Sequence, residues 1–196
     1  MNRAADVALA SVGLAIASPL LAAAAVATRL QDGGPVFYRQ RRVGKDGEEF
    51  ELLKLRTMVV GAEHQGAGFA VTKGDSRITR AGRVLRRLSV DELPQLWNVV
   101  RGEMSVIGPR PTLRYQVEKY DEHQLHRLDV KPGITGWAQI HGRTSLPWAE
   151  RIELDLWYVR HHDWKTDLLI LLRTPLSLFG GTYKGETGGW TEPPRS

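Results

Sequence analysis

The sequence contains no cysteine among its 196 residues. This absence excludes a disulfide framework and a thiolate zinc site, so a bound metal ion would need oxygen or imidazole ligands. Acidic residues are outnumbered, because 27 Lys and Arg stand against 22 Asp and Glu, which gives a net charge of +5. A basic surplus favours phosphate-rich partners such as nucleic acid, anionic lipid or a nucleotide. The length suits one domain with a substantial core.

Charge is missing altogether from residues 7–28, a run of 22 residues. A helix of that length can cross the hydrocarbon layer of a membrane. Three interpretations compete: a spanning anchor, a cleaved signal peptide, and a helix that enters and leaves by one face. Ala25-Val26-Ala27 resembles a cleavage site, but the apolar run is longer than the usual core of a signal peptide.

Ser18-Pro19 stands near the middle of this run. Proline frees a backbone carbonyl and kinks a helix, and a serine hydroxyl can satisfy the freed group. Basic residues flank the run on both sides, and such residues are enriched on the cytoplasmic side of membrane helices. The flanking residues are Arg3, Arg29, Arg39, Arg41 and Arg42. These features favour a re-entrant membrane helix over residues 1–30, broken at Ser18-Pro19, while a kinked spanning helix stays open.

The remaining patterns predict an α+β fold with a small hairpin and several amphipathic helices. Strands over 36–43 and 48–54 flank the turn Gly44-Lys45-Asp46-Gly47. Phe50, Leu52 and Lys54 share one face of the second strand, which carries Lys54 to its rim with Arg56 close behind. Helices are predicted over 79–88, 112–128, 147–161 and 164–179. Segment 59–74 is predicted to be a loop and 181–196 a flexible tail.

The two helices predicted last carry indole rings at Trp148, Trp157 and Trp164. Indole rings suit the headgroup zone of a membrane, and amphipathic helices of this kind lie in the interface plane. Ordinary core packing is the alternative. The pattern therefore favours interfacial helices in the second half of the chain.

Two adjacent carboxylates, Asp91 and Glu92, stand directly before Leu93-Pro94. Since Pro94 fits the first turn of a helix, the pair lies at a helix entrance, where the backbone favours bound phosphate. A plain capping box of Ser89 and Glu92 is the alternative. The spacing of the apolar residues from 93 to 100 predicts a buried helix face that places Trp97 in the core.

Arginines stand on both sides of the acidic pair. Arg86 lies just upstream, and Arg110 lies downstream between two prolines that fix its backbone. Planar guanidinium groups suit bidentate contact with phosphate oxygens. A site for phosphate groups is therefore predicted around the acidic pair.

Four blocks in this order resemble the bacterial sugar transferase family, the monotopic polyprenyl-phosphate phosphoglycosyl transferases in their small form. The blocks are 50–58, 89–100 with 108–111, 131–139, and 155–159. One departure is visible. Family members commonly have a serine after the last block, where this chain has His161-His162-Asp163.

The resemblance implies transfer of a sugar-1-phosphate from a UDP-sugar to polyprenyl (undecaprenyl) phosphate, with release of UMP. This is the first membrane step in the synthesis of a glycoconjugate: an exopolysaccharide, O-antigen, capsule or glycoprotein glycan. Asp91 would be the nucleophile that forms an aspartyl phosphosugar, and Glu92 would hold Mg²⁺. Arg86, Arg110, Lys54 and Arg56 would bind phosphate oxygens.

The resemblance also implies that the block around Trp137 shapes the nucleotide-sugar pocket. Gln139, His141 and Arg143 alternate in the sequence and are predicted to face one ligand. It further implies the re-entrant form of the N-terminal helix and a catalytic domain over 31–180 on the cytoplasmic face of the bacterial inner membrane. Membrane lipids are then expected partners, a homodimer is plausible, and no nucleic acid is expected. A secreted basic module and a nucleic-acid-binding module remain as alternatives.

Overall fold

The computed structural model of the protein describes residues 2–65, 71, 74–142 and 146–179. Its architecture is mixed α and β, as predicted, with two small sheets and one helix much longer than the others. In chain order the elements are α1 (Arg3–Asp32), β1 (Phe37–Val43), β2 (Glu49–Leu55), α2 (Arg80–Arg87), α3 (Gln95–Arg101), β3 (Ser105–Ile107), α4 (Arg114–Val117), α5 (Glu122–Leu125), β4 (Gly133–Thr135), α6 (Trp137–Ile140), α7 (Trp148–His161) and α8 (Trp164–Phe179).

The charge-free run lies inside α1, which is long and apolar enough to cross a membrane by length and composition. The helix was expected to be broken at Ser18-Pro19. Instead Pro19 lies inside α1 and does not end it, so α1 is one helix. Proline lacks the N–H that would bond to the carbonyl four residues earlier, at Ala15. The Ser18 hydroxyl donates to that carbonyl oxygen at 2.8 Å. The side chain before the proline thus satisfies the group that the proline frees.

Polar contacts tie both ends of α1 to the rest of the protein. Near its start, Asp6 is buried, and one of its carboxylate oxygens accepts hydrogen bonds from the Ser105 hydroxyl and the Val106 N–H, each at 2.8 Å. At its end, Asp32 forms a bidentate ion pair with Arg56. Both ends of the apolar helix therefore lie against the same domain.

The predicted hairpin is confirmed. Strands β1 and β2 pair antiparallel, with Phe37 opposite Leu55 and Val43 opposite Glu49. The hairpin packs with α1, α2 and α3. Two clusters of buried residues form this core: Ala10, Leu52, Val99 and Met104, and Ala24, Leu55, Leu85 and Val90.

A second sheet, not predicted from the sequence, joins β3 and β4 in parallel. Its backbones approach closely because residue 133 is glycine: an added Cβ there would lie 2.1 Å from the Gly108 nitrogen. Strands of three residues are too short for an alternating pattern to show. Helices α7 and α8, whose predicted ranges are confirmed, pack Tyr158 and Ile170 against Ile107 of this sheet.

Two predictions about helices are wrong. The single helix expected over 112–128 is instead α4, α5 and a 3-10 turn. Asp121 accepts a hydrogen bond from the Gln124 N–H at 2.8 Å, which starts a new helix in the middle of the segment. Trp97 is 50% exposed, because α3 turns the polar residue Asn98 inward, where its side chain bonds to the Leu53 N–H at 3.0 Å.

Candidate active site

The acidic pair lies in a 3-10 turn, Val90–Glu92, between α2 and α3. Ser89 before it has a left-handed backbone conformation, φ 55°, and its side chain caps nothing. The capping-box alternative therefore does not hold. Pro94 directly precedes α3, as the restricted backbone of proline predicts.

Glu92 accepts hydrogen bonds from two cations. Lys54 Nζ lies 3.1 Å from Glu92 Oε1, and the Arg110 guanidinium contacts both carboxylate oxygens. Burial alone would raise the pKa of Glu92, but the charges of Arg110 and Lys54 outweigh it and hold that pKa well below its ordinary value. Glu92 is therefore ionised at neutral pH, and it orients both cations.

Asp91, its neighbour, has a different environment. It is only 8% exposed. Burial and then the adjacent charge of Glu92 raise the pKa of Asp91, against the opposing charges of Lys54, Arg86 and Arg110. Two adjacent carboxylates thus have pKa values displaced in opposite directions, which is typical of groups with separate chemical roles.

Helix α2 brings Arg86 to the pair. Arg86 Nε donates to the Thr57 hydroxyl oxygen at 2.8 Å. A Cβ added at Gly82 of the same helix would lie 2.0 Å from the Thr57 carbonyl oxygen. Only glycine permits so close an approach, so the backbone of α2 fixes where Arg86 stands relative to the end of β2.

Arg110 is held from behind by residues that sequence reasoning missed. Arg127 donates through Nη2 to the Arg110 carbonyl oxygen at 2.7 Å. The same guanidinium donates to Asp155 at 2.7 Å and to the Tyr120 hydroxyl at 2.8 Å. Asp155 belongs to the last of the four blocks, but its partner Arg127 lies in no block, and only the fold brings the two together.

Arg56 does not join the acidic pair. Besides the bidentate contact with Asp32, its guanidinium donates to the backbone carbonyls of Pro35 and Met58. It is 6% exposed. The expectation that Arg56 binds phosphate is corrected, because the carboxylate at the end of α1 engages this side chain and gives it a structural role.

Gln139, His141 and Arg143 are predicted to face one ligand, but Gln139 and His141 do not lie in a strand. Gln139 lies in α6, and His141 directly follows it, where its Nδ1 is 2.8 Å from the Trp137 carbonyl oxygen. Residues two apart on a helix point to different sides, so alternation does not place them on one face. Both polar atoms of the Gln139 side chain are buried without a partner among the described residues. Arg143 lies outside the described residues.

Four rings from α6, from the residue after it and from α7 lie in contact. Trp137 lies 4.2 Å from His141 and 4.3 Å from Trp157, and Trp157 lies 4.8 Å from His161, between ring centroids. Three of these rings line a cavity of about 580 Å³. The first histidine of the divergent segment 161–163 is therefore part of an aromatic stack.

The acidic pair has the donor chemistry that Mg²⁺ prefers. That ion takes one or two protein carboxylates and completes its shell with water and substrate phosphate oxygens. In the described ranges, no group of three or more His, Cys, Asp or Glu side chains is arranged to enclose a metal. Both oxygens of Glu92 already accept hydrogen bonds, yet a carboxylate has about four acceptor positions. The pair therefore fits a metal ion that is shared with a phosphate ligand.

Asp91 and Glu92 lie close to Lys54, Arg86 and Arg110, and Val90 beside the pair packs with Ala24 of the long apolar helix. This arrangement of charges suits phosphate groups. The chain belongs to the bacterial sugar transferase family, whose model matches residues 1–181. That match includes all three cations and both carboxylates.

Individual relatives agree with this membership. The uncharacterized sugar transferase EpsL of Bacillus subtilis (strain 168) is 47% identical, over 74% of this chain and 71% of its own. The exopolysaccharide production protein ExoY of Rhizobium meliloti (strain 1021) is 41% identical, over 93% and 88%. The UDP-glucose:undecaprenyl-phosphate glucose-1-phosphate transferase of Xanthomonas campestris pv. campestris is 43% identical over 89% of this chain but only 38% of its own length.

Proposed function

We propose that this protein transfers a sugar-1-phosphate from a UDP-sugar to polyprenyl (undecaprenyl) phosphate and releases UMP. The observation that carries the proposal is the adjacent pair of the buried Asp91 and the partly buried Glu92, with Lys54, Arg86 and Arg110 close to it. Two anionic substrates have to approach each other, so neutralising their charge is the main requirement of the site. The names of the relatives point the same way, since several are transferases from UDP-sugars to undecaprenyl phosphate. A secreted or nucleic-acid-binding module does not account for the names of these relatives.

The reaction is proposed to proceed in two displacements. A carboxylate oxygen of Asp91 attacks the sugar-bearing phosphorus, the bond from that phosphorus to the bridging oxygen breaks, and UMP leaves. An oxygen of polyprenyl phosphate then attacks the same phosphorus, and the bond to Asp91 breaks to regenerate the carboxylate. Burial of Asp91 suits it to this role, because a desolvated carboxylate with a raised pKa is a better nucleophile.

The basic residues hold the substrates in place. Arg110 is kept at the site by Glu92 on one side and by Arg127 behind its carbonyl, while Arg86 is kept there by Thr57. Fixed guanidinium groups stabilise negative charge as it develops on the phosphate oxygens without having to reorganise. Glu92, with substrate phosphate oxygens, would hold Mg²⁺, which supplies charge neutralisation of the diphosphate when bound.

The test is to incubate the detergent-solubilised protein with a panel of UDP-sugars, polyprenyl phosphate and Mg²⁺, and to measure UMP release. One donor should release UMP continuously when the acceptor is present. Without the acceptor it should release at most about one equivalent and leave a labelled protein. Steady UMP release that never labels the protein would contradict the two-step route, and no release with any donor would contradict the function.

Metal dependence has its own test. Glu92→Gln keeps the size of the side chain and removes its charge. We expect the Mg²⁺ concentration for half-maximal rate to rise by about tenfold or more, because one anionic ligand is lost. Glu103→Gln, at a partly exposed carboxylate that pairs with Arg101 at 3.1 Å, is the matched control. An unchanged Mg²⁺ requirement in Glu92→Gln would remove this residue from the metal site.

We further propose that α1 is re-entrant and that the catalytic domain lies on the cytoplasmic face of the inner membrane. Both ends of α1 are bonded to the catalytic domain, at Asp6 and at Asp32, and these contacts support the proposal that both ends lie on one side of the membrane. Ile16 and Leu20 in its middle are 75% and 48% exposed and would enter the lipid.

The absence of cysteine makes this topology testable. Ala4→Cys and Glu48→Cys each add one exposed thiol, before the apolar run and in the hairpin. Both should react with an impermeant maleimide in inverted vesicles, and neither should react in intact spheroplasts. If Ala4→Cys reacted in spheroplasts and not in inverted vesicles, while Glu48→Cys did the reverse, α1 would be a spanning helix. Homodimerisation stays a prediction.

A further inference from the structure

A row of polar side chains on β1 lies on the same face of the hairpin as Lys54. In a strand, alternate residues share a face, so Tyr38, Gln40 and Arg42 point to one side. Tyr38 is directly opposite Lys54 in the antiparallel register, and directly opposite residues also share a face. Lys54 contacts Glu92 at 3.1 Å. The row therefore continues the active site along the hairpin.

Arg42 is fixed in this row by neutral groups. Its Nε and Nη2 donate to Gln40 Oε1 at 3.1 and 2.6 Å, and its Nη1 donates to the Pro111 carbonyl oxygen at 3.2 Å. Pro111 directly follows Arg110. Three of the five N–H donors of the guanidinium are thus used, and the planar fork keeps two.

The surroundings of Arg42 are short of negative charge. In the part of the chain that the structure describes, no carboxylate lies within ion-pair distance of it, whereas Arg56, Arg110 and Arg127 each have one. Burial and the nearby charge of Arg110 lower the pKa of Arg42 to about 10. A half-buried cation beside another cation is unfavourable on its own and becomes favourable when an anion lies between them.

We propose that Arg42, oriented by Gln40, binds a phosphate oxyanion of a substrate beside Arg110. The inference rests on the proposed function, which brings two phosphate-bearing substrates to the site. Three cations act on the two carboxylates of the pair, which leaves little positive charge for a diphosphate and a monophosphate together. Arg42 adds one more positive charge and a planar fork that matches phosphate geometry. The phosphate belongs either to the donor diphosphate or to the lipid acceptor.

A purely structural role makes different predictions. If Arg42 only braced the Pro111 carbonyl, its removal would displace Arg110, lower the rate with both substrates and lower the melting temperature. If it binds a phosphate, its removal weakens one substrate selectively and leaves the fold intact. The Michaelis constants, the turnover number and the melting temperature together separate the two roles.

The experiment compares Arg42→Ala and Arg42→Lys with Arg41→Ala. Arg41 is exposed and belongs to the same strand, where it lies on the opposite face. Its replacement therefore removes the same charge as that of Arg42, but at a position away from the site. We expect Arg42→Ala to raise KM for one substrate by about tenfold or more, and Arg42→Lys by less, because lysine lacks the fork. For Arg42→Ala, KM for the other substrate should stay within about twofold of wild type and the melting temperature within about a degree. For Arg41→Ala, both Michaelis constants and the melting temperature should stay within the same limits.

A raised KM for the UDP-sugar assigns Arg42 to the donor, and a raised KM for polyprenyl phosphate assigns it to the acceptor. Unchanged constants for both substrates, or a lower rate with a lower melting temperature, would overturn the proposal. Binding of inorganic pyrophosphate by the whole protein needs no turnover and separates this outcome from failure of the proposed function. Arg42→Ala should bind either pyrophosphate or inorganic phosphate, as mimics of the donor and of the acceptor, about tenfold more weakly than wild type or Arg41→Ala does. Equal binding of both ions by all three proteins would also overturn the proposal.

Discussion

Two ion-pair clusters near Arg110 differ in almost every respect. The Glu92 cluster consists of Glu92, Lys54 and Arg110, and its arginine side chain is 46% exposed. The Asp155 cluster consists of Asp155 and Arg127, whose side chains are 3% and 4% exposed. The first has two cations for one carboxylate and lies next to Asp91. The second has one of each and is closed to solvent.

The difference in solvent exposure shows which of the two clusters a ligand can reach. The Arg127 side chain is only 4% exposed and donates to Asp155, to the Tyr120 hydroxyl and to the Arg110 carbonyl, so burial keeps a ligand from reaching it. The Arg110 side chain is 46% exposed and its backbone is held from behind by Arg127, so a ligand can reach its guanidinium. The closed cluster therefore holds the backbone of Arg110 in place, while the open cluster leaves the Arg110 side chain accessible.

The largest effect should come from the open cluster. Asp91→Asn removes the proposed nucleophile with little change of shape, and turnover should fall by more than about 10³-fold with loss of covalent labelling by the donor. Because the folded state raises the pKa of Asp91, its ionised form destabilises the fold at neutral pH. The variant should therefore melt at or above the wild-type temperature.

The matched control is Asp46→Asn, at a carboxylate that is 71% exposed in the hairpin turn. It should leave both turnover and labelling unchanged. Undiminished UMP release by Asp91→Asn would remove this residue as the nucleophile. A lower melting temperature would show that loss of activity came from loss of structure.

Substitutions in the closed cluster should mainly lower the free energy of unfolding. Asp155→Ala leaves Arg127 buried without its counter-ion, and removing one member of such a pair destabilises a protein by about 3–5 kcal/mol. Arg127→Met with Asp155→Leu removes both charges and should recover much of that loss, as measured by thermal unfolding in detergent. If the double variant were no more stable than Asp155→Ala, an uncompensated charge would not explain the effect.

These clusters also show what the sequence could reveal. Elements with a strong local pattern were predictable: the hairpin, α2, α7 and α8 follow periodicity and turn residues that need no tertiary information. The second sheet was not, because strands of three residues at β3 and β4 carry no pattern and depend on close approach at Gly133.

The residues of the site also divide into those that local sequence motifs predict and those that only the fold reveals. Lys54, Arg86 and Arg110 were predictable because motifs place them near the acidic pair in the chain. Arg56 was assigned wrongly, since sequence proximity to Lys54 does not reveal that Asp32 engages it. Arg127 was missed because its contact with the Arg110 carbonyl links two segments that only the fold brings together.

A smaller effect is expected in pH dependence. The nucleophile has to be ionised, and the pKa of Asp91 is raised by burial and by Glu92. The rate should therefore be full above that pKa and fall as the pH drops through it, at a higher pH than for an ordinary aspartate. The burst of UMP without acceptor is the measurement to use, since polyprenyl phosphate has its own ionisation at about pH 6. An acid limb at the ordinary value of 3.8 would contradict the burial argument.

The smallest effect should come from an ion pair that resembles neither cluster. Arg39 lies 3.7 Å from Glu51 across the hairpin, with side chains 68% and 59% exposed. Water screens such a pair, so Arg39→Ala should change the free energy of unfolding by at most about 0.5 kcal/mol and leave both Michaelis constants unaltered. Thermal unfolding and UMP release check this together. A change as large as that of Asp155→Ala would mean that exposure does not separate the strong pairs from the weak ones, and the contrast between the open and closed clusters would lose its physical basis.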